Sequence, residues 1–222
     1  MRHLRLVLLT VLAVALCAAP AAVAHPPHKG GGKVTPVHKV AGLTGGELLG
    51  EAWVQLLSHP AGTFSGGCYP LAGGKVVSPE PGPDLTASCT IKRGTRLFMW
   101  FGAECSNVEA PPFFGADESA QRACAVAWDE IFTAATIAVD DGEPVNGLDP
   151  RFELISPQQT VELPADNILG VPPQTATFVA HGWGVFVKLR PGQHTITATT
   201  QADVETTFTL HVNVVRCHGS DA

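Results

Sequence analysis

The residues able to do chemistry in this 222-residue chain are its nine histidines, its carboxylates and its six cysteines. The most specific arrangement is terminal. Ala22-Val23-Ala24 is a small-x-small cleavage signal, and cleavage after Ala24 makes His25 the first residue of the mature chain. An N-terminal histidine offers its amine and a ring nitrogen to one metal ion, and another histidine completes a three-nitrogen brace suited to copper. His181, His194 and His211 are the candidate partners. Against the brace, Pro26-Pro27 and the glycines at 30–32 give this start no fixed geometry, whereas a working metal site must be held rigidly. The plainer reading is a solvated tail with incidental copper affinity.

Pairing residues 181–189 in register across the turn Arg190-Pro191-Gly192-Gln193 sets Leu189 opposite His194. His181 is then about 26 Å away at roughly 3.3 Å per residue. On that register the two rings share no ion, and both read as core or turn-capping histidines. The carboxylates divide similarly. Asp140, Asp141, Glu143 and Asp149 are a candidate calcium cluster. Their spacing misses the twelve-residue calcium loop, and Asp-Gly is ordinary turn chemistry. Asp129, Glu130 and Asp166 are available for glycoside hydrolysis, which needs two carboxylates flanking a cleft. No Gly-x-Ser-x-Gly elbow occurs. The pairs Gly66-Gly67 and Gly73-Gly74 lack the Lys-Ser/Thr of a phosphate loop and read as turns.

Composition sets the compartment. A basic start (Arg2, His3, Arg5), an apolar run over residues 6–16 and the cleavage signal make residues 1–24 a secretory signal peptide. The rival reading is lipid anchoring at Cys17, disfavoured by the bulky Leu16 before it. Export places Cys68, Cys89, Cys105, Cys124 and Cys217 where disulfides form. Proximity in the chain predicts Cys68–Cys89 and Cys105–Cys124, leaving Cys217 free or intermolecular. No C-x-x-C pair supports a zinc site. Residues 42–213 hold eight basic and nineteen acidic residues, which excludes a nucleic-acid binder. Hydrophobic residues are 45% and charged ones 15%, so the body of the chain folds. No later segment is apolar over the length of a membrane-spanning helix.

The elements that must position these groups follow from periodicity. Residues 25–41 read as a flexible Pro/Gly/His/Lys tail, 42–215 as one domain and 216–222 as a C-terminal tail. Thr44 and Glu47 form a capping box for a helix over 44–58, ended by His59-Pro60. Residues 61–87 read as loop. Strands follow at 89–92 and 96–101. A second helix covers 117–131, with Ala120, Ala123, Cys124, Ala127, Trp128 and Ile131 as its apolar stripe. From Thr136 the text is strand and turn. Asp140-Asp141-Gly142 signals a hairpin, and Thr175 to Leu189 is a strand pair or one bent strand. In the last strand Phe208, Leu210, Val212 and Val214 share one face. Trp100, Trp128 and Trp183 read as core. The expected fold is mainly β: an antiparallel β-sandwich, jelly-roll or Ig-like, with two inserted α-helices.

Six phrases in order resemble a family of uncharacterised secreted bacterial proteins. They are Glu51-Ala52-Trp53, Cys89 to Gly94 with Leu97-Phe98, Asp140 to Val145, Arg151 to Pro157 with Asp166-Asn167, Ala180 to Trp183, and Pro191 to Ile196. The resemblance spans roughly residues 45–213, and one departure is that Trp53 stands without an aromatic cluster in the sequence. It implies a secreted sandwich-like domain and no established activity. The expectation is therefore a secreted, non-enzymatic binding or structural domain with an extracellular ligand and no cofactor. The alternative is a copper- or calcium-dependent oxidase or hydrolase acting on an extracellular polymer, with His25 as its brace.

Overall fold

A computed structural model describes residues 32–216. The segment read as a signal peptide, with Cys17, and also His25 and Cys217 lie outside the described residues.

The chain is mainly β, with two sheets packed face to face and two helices. One sheet is built around a single long strand, β10 (Gln174–Lys188). One edge of β10 pairs with β5 (Arg96–Ser106) over ten residue pairs. Its other edge is shared by three short strands in succession: β9 (Gln159–Leu163), β8 (Glu153–Ile155) and β1 (Lys33–Pro36). Buried Ser156 fills the step between β9 and β8: its hydroxyl accepts from the Ala180 N–H, and its own N–H donates to the Ala180 carbonyl. Beyond β5 the sheet continues with β3 (Val76–Pro79) and β2 (Cys68–Leu71). The second sheet runs β4 (Thr86–Lys92), β12 (Glu205–Val215), β11 (Gly192–Gln201), β6 (Ala134–Val139), β7 (Val145–Asn146).

Several expectations are corrected. The sheets are mixed, because β3 joins β5 and β4 joins β12 in parallel. Of the two readings of Thr175 to Leu189, the single strand holds and the strand pair does not: β10 ends at Lys188 and does not pair with β11. The turn at 190–193 carries the chain from one sheet to the other, so the register placing Leu189 opposite His194 does not exist. The stretch read as loop over 61–87 contains the β2–β3 hairpin, whose Pro70 and Pro79 are tolerated because it lies at a sheet edge. The tail reading ends early: β1 is a strand, and Val40 is buried under the first helix.

The physics of the layers is simple. Leu97, Met99, Trp183, Val185 and Val187 of the first sheet meet Ile137, Ile196, Leu210, Val212 and Val214 of the second. This core contains the predicted apolar face of β12. On the other face of the first sheet, Phe98, Phe178 and Phe186 pack beneath α1 (Gly45–Leu57) through Leu48, Leu49, Ala52 and Leu57. Both halves of the Thr44–Glu47 capping box are formed. Trp53 has its aromatic partner in space: its ring lies 5.2 Å from Trp100.

The second helix, α2 (Glu118–Ala127), continues as a 3-10 turn at Trp128–Ile131. Its buried face carries Gln121 and Ala125, not the predicted alanine stripe, and Ala120, Ala123 and Ala127 are exposed. Gln121 wins the buried position through hydrogen bonds to Gly115, Thr177 and Gln158. Disulfides join Cys68 to Cys89 and Cys105 to Cys124. The first ties β2 of one sheet to β4 of the other, and the second ties β5 to α2.

Candidate functional site

Two hollows stand out among the described residues. One, about 460 Å³, is a polar cleft on the solvent face of the second sheet, lined by Ser88, Thr90, Gln193, His194, His211 and Asn213 among others. Its best-placed groups are already engaged. His194 Nδ1 lies 2.9 Å from Asp140, and its Nε2 lies 2.9 Å from the Arg190 carbonyl. The other Asp140 oxygen accepts from the Thr195 N–H at 2.9 Å. His194 therefore fastens the 190–193 turn to the 140–142 turn, a turn-capping role. Asp140 is committed there, while Asp141 and Glu143 are exposed in the turn. Asp149 is held by Arg151, whose hydrogen bonds bring its carboxyl down to about 2. The four acids thus divide among separate local tasks. His211 is exposed on the outer face of β12.

The second hollow, about 260 Å³, enters the sandwich itself. The topology explains it. β3 pairs with β5 only at Arg96 and Leu97, so beyond Leu97 that edge of β5 has no partner strand among the described residues. The inter-sheet space opens there. Met99 and Phe101 form one wall, and Ile137, Ala198 and Phe208 form the other. Tyr69, Trp100, Pro79, Pro81 and Leu85 ring the mouth. Leu85 is 42% exposed and held at φ 58°, a left-handed conformation that L side chains pay for in strain. The backbone thus presents an apolar side chain at the rim at a cost.

Two polar groups face this apolar space. Burial pushes the Tyr69 hydroxyl up to about 12, and burial also raises the Glu80 carboxyl above its ordinary value. Trp100 Nε1 donates to the Ser78 hydroxyl at 3.0 Å and so fixes the rim indole. A mostly apolar pocket with a few convergent polar groups and displaced pKa values is the usual form of a small-molecule site. Sequence reasoning missed it, because its lining comes from strands far apart in the chain and its mouth depends on where β3 leaves β5.

The remaining candidates fall elsewhere. Trp183 is core, stacked on Phe101 at 5.4 Å. Trp128 stacks on Phe113 at 4.3 Å beside α2. Asp166 is exposed in the turn after β9, and Glu130 is exposed in the 3-10 turn. Asp129 reaches His181, which is buried as expected but held by charged partners: Nδ1 lies 2.7 Å from Asp129, and Nε2 lies 3.1 Å from Glu153. At the far end of β5, Glu104 is 5% exposed and Oε2 has no hydrogen-bond partner. Burial, with Glu109 beside it, pushes its carboxyl up to about 9.

No protein-family model matches the chain, and no curated protein matches it. Among solved structures the chain is similar to the solution structure of Amebosin, at 13% identity over 63% of this chain and 96% of that one, with a TM-score of 0.21. At that score nothing is carried from one protein to the other.

Proposed function

We propose that this chain is a secreted, non-enzymatic binding domain, and that the inter-sheet pocket is where it binds. The ligand class is a small, largely apolar molecule, aromatic or short aliphatic, with one amine or hydroxyl end. The observation that carries the reading is the apolar opening between Met99 and Phe101 on one side and Ala198 and Phe208 on the other. Its volume is near the low end of the roughly 300–1,000 Å³ usual for ligand pockets, which favours a ligand of modest size. An amine or hydroxyl on the ligand would pair with Glu80 and Tyr69 at the mouth, relieving their burial penalty. The two disulfides and the absence of a long apolar helix among the described residues are consistent with an extracellular setting.

The test uses indole and hexylamine as probes, read by calorimetry and by chemical shifts of Met99 and Ala198. Saturable binding to the wild type is expected, together with its loss in Ala198→Phe, which fills the pocket while leaving the unfolding temperature unchanged or raised. Equal binding by wild type and A198F, or no binding of either probe, refutes the reading.

A further inference from the structure

We propose that His181 and Glu153 form a binding site for one divalent transition-metal ion of the zinc–copper class, with Asp129 as the residue that positions the histidine. Three elements distant in the chain build it: the 3-10 turn after α2 supplies Asp129, the first residue of β8 supplies Glu153, and the middle of β10 supplies His181. One ligand atom from each lies within 4.8 Å of the others.

Hydrogen-bond accounting leaves this cluster two ways to be satisfied: a ring protonated on both nitrogens that donates to both carboxylates, or a cation at one nitrogen. A neutral imidazole donates from one nitrogen and accepts at the other. Both His181 nitrogens face carboxylate oxygens, and carboxylates do not donate. With Nδ1–H donating to Asp129, the unprotonated Nε2 lies 3.1 Å from a Glu153 oxygen, a contact that needs a cation beside both atoms or an added proton. No Lys or Arg pairs with Asp129 or Glu153 among the described residues, since Arg151 is taken by Asp149 and Arg122 by Glu118. In the proposed site a metal ion, in place of a second ring proton, supplies that positive charge, and the zinc titration below separates the two.

The geometry suits it. Nε2 and the Glu153 oxygen are 3.1 Å apart. Two neighbouring ligands with bonds of about 2.0–2.2 Å to one ion span that distance at an angle a little above 90°. Asp129 on Nδ1 then provides the carboxylate–histidine–metal arrangement that fixes tautomer and ring orientation. The His181 side chain is 3% exposed, Asp129 24% and Glu153 51%, so an ion has an entry path on the Glu153 side and a dry wall behind. That wall is aromatic: Trp183 lies 6.1 Å from the His181 ring and is itself packed by Phe101 and Phe132. An imidazole ligand selects against calcium, which takes oxygen donors.

The test titrates the full chain, stripped of metal by a chelator, with zinc ions alone. The readout is the ring resonances of His181 in the ¹⁵N-labelled protein, alongside calorimetry. The expected result is a saturable shift of the His181 Nε2 signal at one zinc per chain. Glu153→Gln is expected to weaken this binding at least tenfold, and Asp129→Asn to weaken it about ten- to a hundredfold. Circular dichroism and the unfolding temperature without zinc report whether each variant folds, and E153Q alters a half-exposed side chain. A His181 signal unmoved by zinc, or wild-type zinc affinity at His181 in folded E153Q, overturns the proposal. Zinc uptake confined to histidines near the termini also overturns it.

Discussion

Replacing Glu104 with glutamine should make the protein more stable in neutral and alkaline solution and leave it unchanged in acid. Glu104 is 5% exposed, one oxygen is unpartnered, and its carboxyl is pushed from 4.5 up to about 9, chiefly by burial and then by Glu109. Glu109 is displaced in the same direction, also first by burial. Below pH 4.5 the folded and unfolded chains both hold the Glu104 proton, and the group carries no penalty. Between 4.5 and about 9 the unfolded chain releases the proton while the folded chain keeps it, so stability falls as pH rises. Above about 9 both forms are ionised and the loss is complete. One pKa unit is worth about 1.4 kcal/mol, so the whole displacement corresponds to about 6 kcal/mol. Water reaching the half-buried Glu109 side reduces this, and at least about 2 kcal/mol should remain at pH 8. Glutamine keeps the shape and the capacity to donate to Glu109 without an ionising proton. The assay is urea unfolding of wild type and E104Q from pH 4 to 9.5, read as the difference, in which groups that do not touch Glu104 cancel and Glu109 contributes through its contact with it. The expected difference is near zero at pH 4 and favours E104Q increasingly up to about pH 9. A flat difference would show that Glu104 ionises alike folded and unfolded, and one favouring wild type at high pH would reveal a cation beside it. Either outcome refutes the reasoning.

Two further outcomes follow from the packing. Removing the Cys68–Cys89 bridge by double substitution to alanine should cost about 3 kcal/mol, the value for a loop near twenty residues, measured as a lowered denaturant midpoint. Because that bridge ties the sheets beside the pocket mouth, it should also weaken indole binding, whereas removing Cys105–Cys124 should lower stability by a similar amount and leave indole binding intact. Gly46→Ala should destabilise by more than about 2 kcal/mol although alanine is the better helix former by about 1 kcal/mol. A Cβ there would land on the Ile155 carbonyl oxygen, which β8 holds in place, and a gain in melting temperature would refute that packing.

Local signals in the sequence proved legible where the physics is local. Thr44 and Glu47 cap α1 as their spacing predicts, and the 140–142 turn joins β6 to β7. The alternation of Phe208, Leu210, Val212 and Val214 marks the inner face of β12, and the two disulfides join cysteines that neighbour each other along the chain. Long-range choices were not legible. Nothing in Arg190-Pro191-Gly192 tells a hairpin turn from a crossing between sheets, because the turn chemistry is the same. The alanine stripe of α2 misled because alanine buries little area, while a glutamine with three satisfied partners outcompeted it. The candidate sites share that limit. His181 was recognisable as buried, but its clamp unites residues at 129, 153 and 181, and the pocket draws on strands at 99–101, 137, 198 and 208.

The three strands along one side of β10 have a consequence for behaviour in solution. An exposed strand edge is a template on which another chain can add, and proteins shorten, charge or cover such edges. Here the longest strand of the molecule is bordered on that side by β9, β8 and β1, delivered separately from distant parts of the chain. Fraying of any one frees at most five residues of β10, too little for a lasting intermolecular ladder, while its neighbours stay paired. The division of that edge among short segments therefore protects the central strand from aggregation, and strand addition is left to the terminal strands β2, β4 and β7 and to the edge of β5 between Leu97 and Ser106.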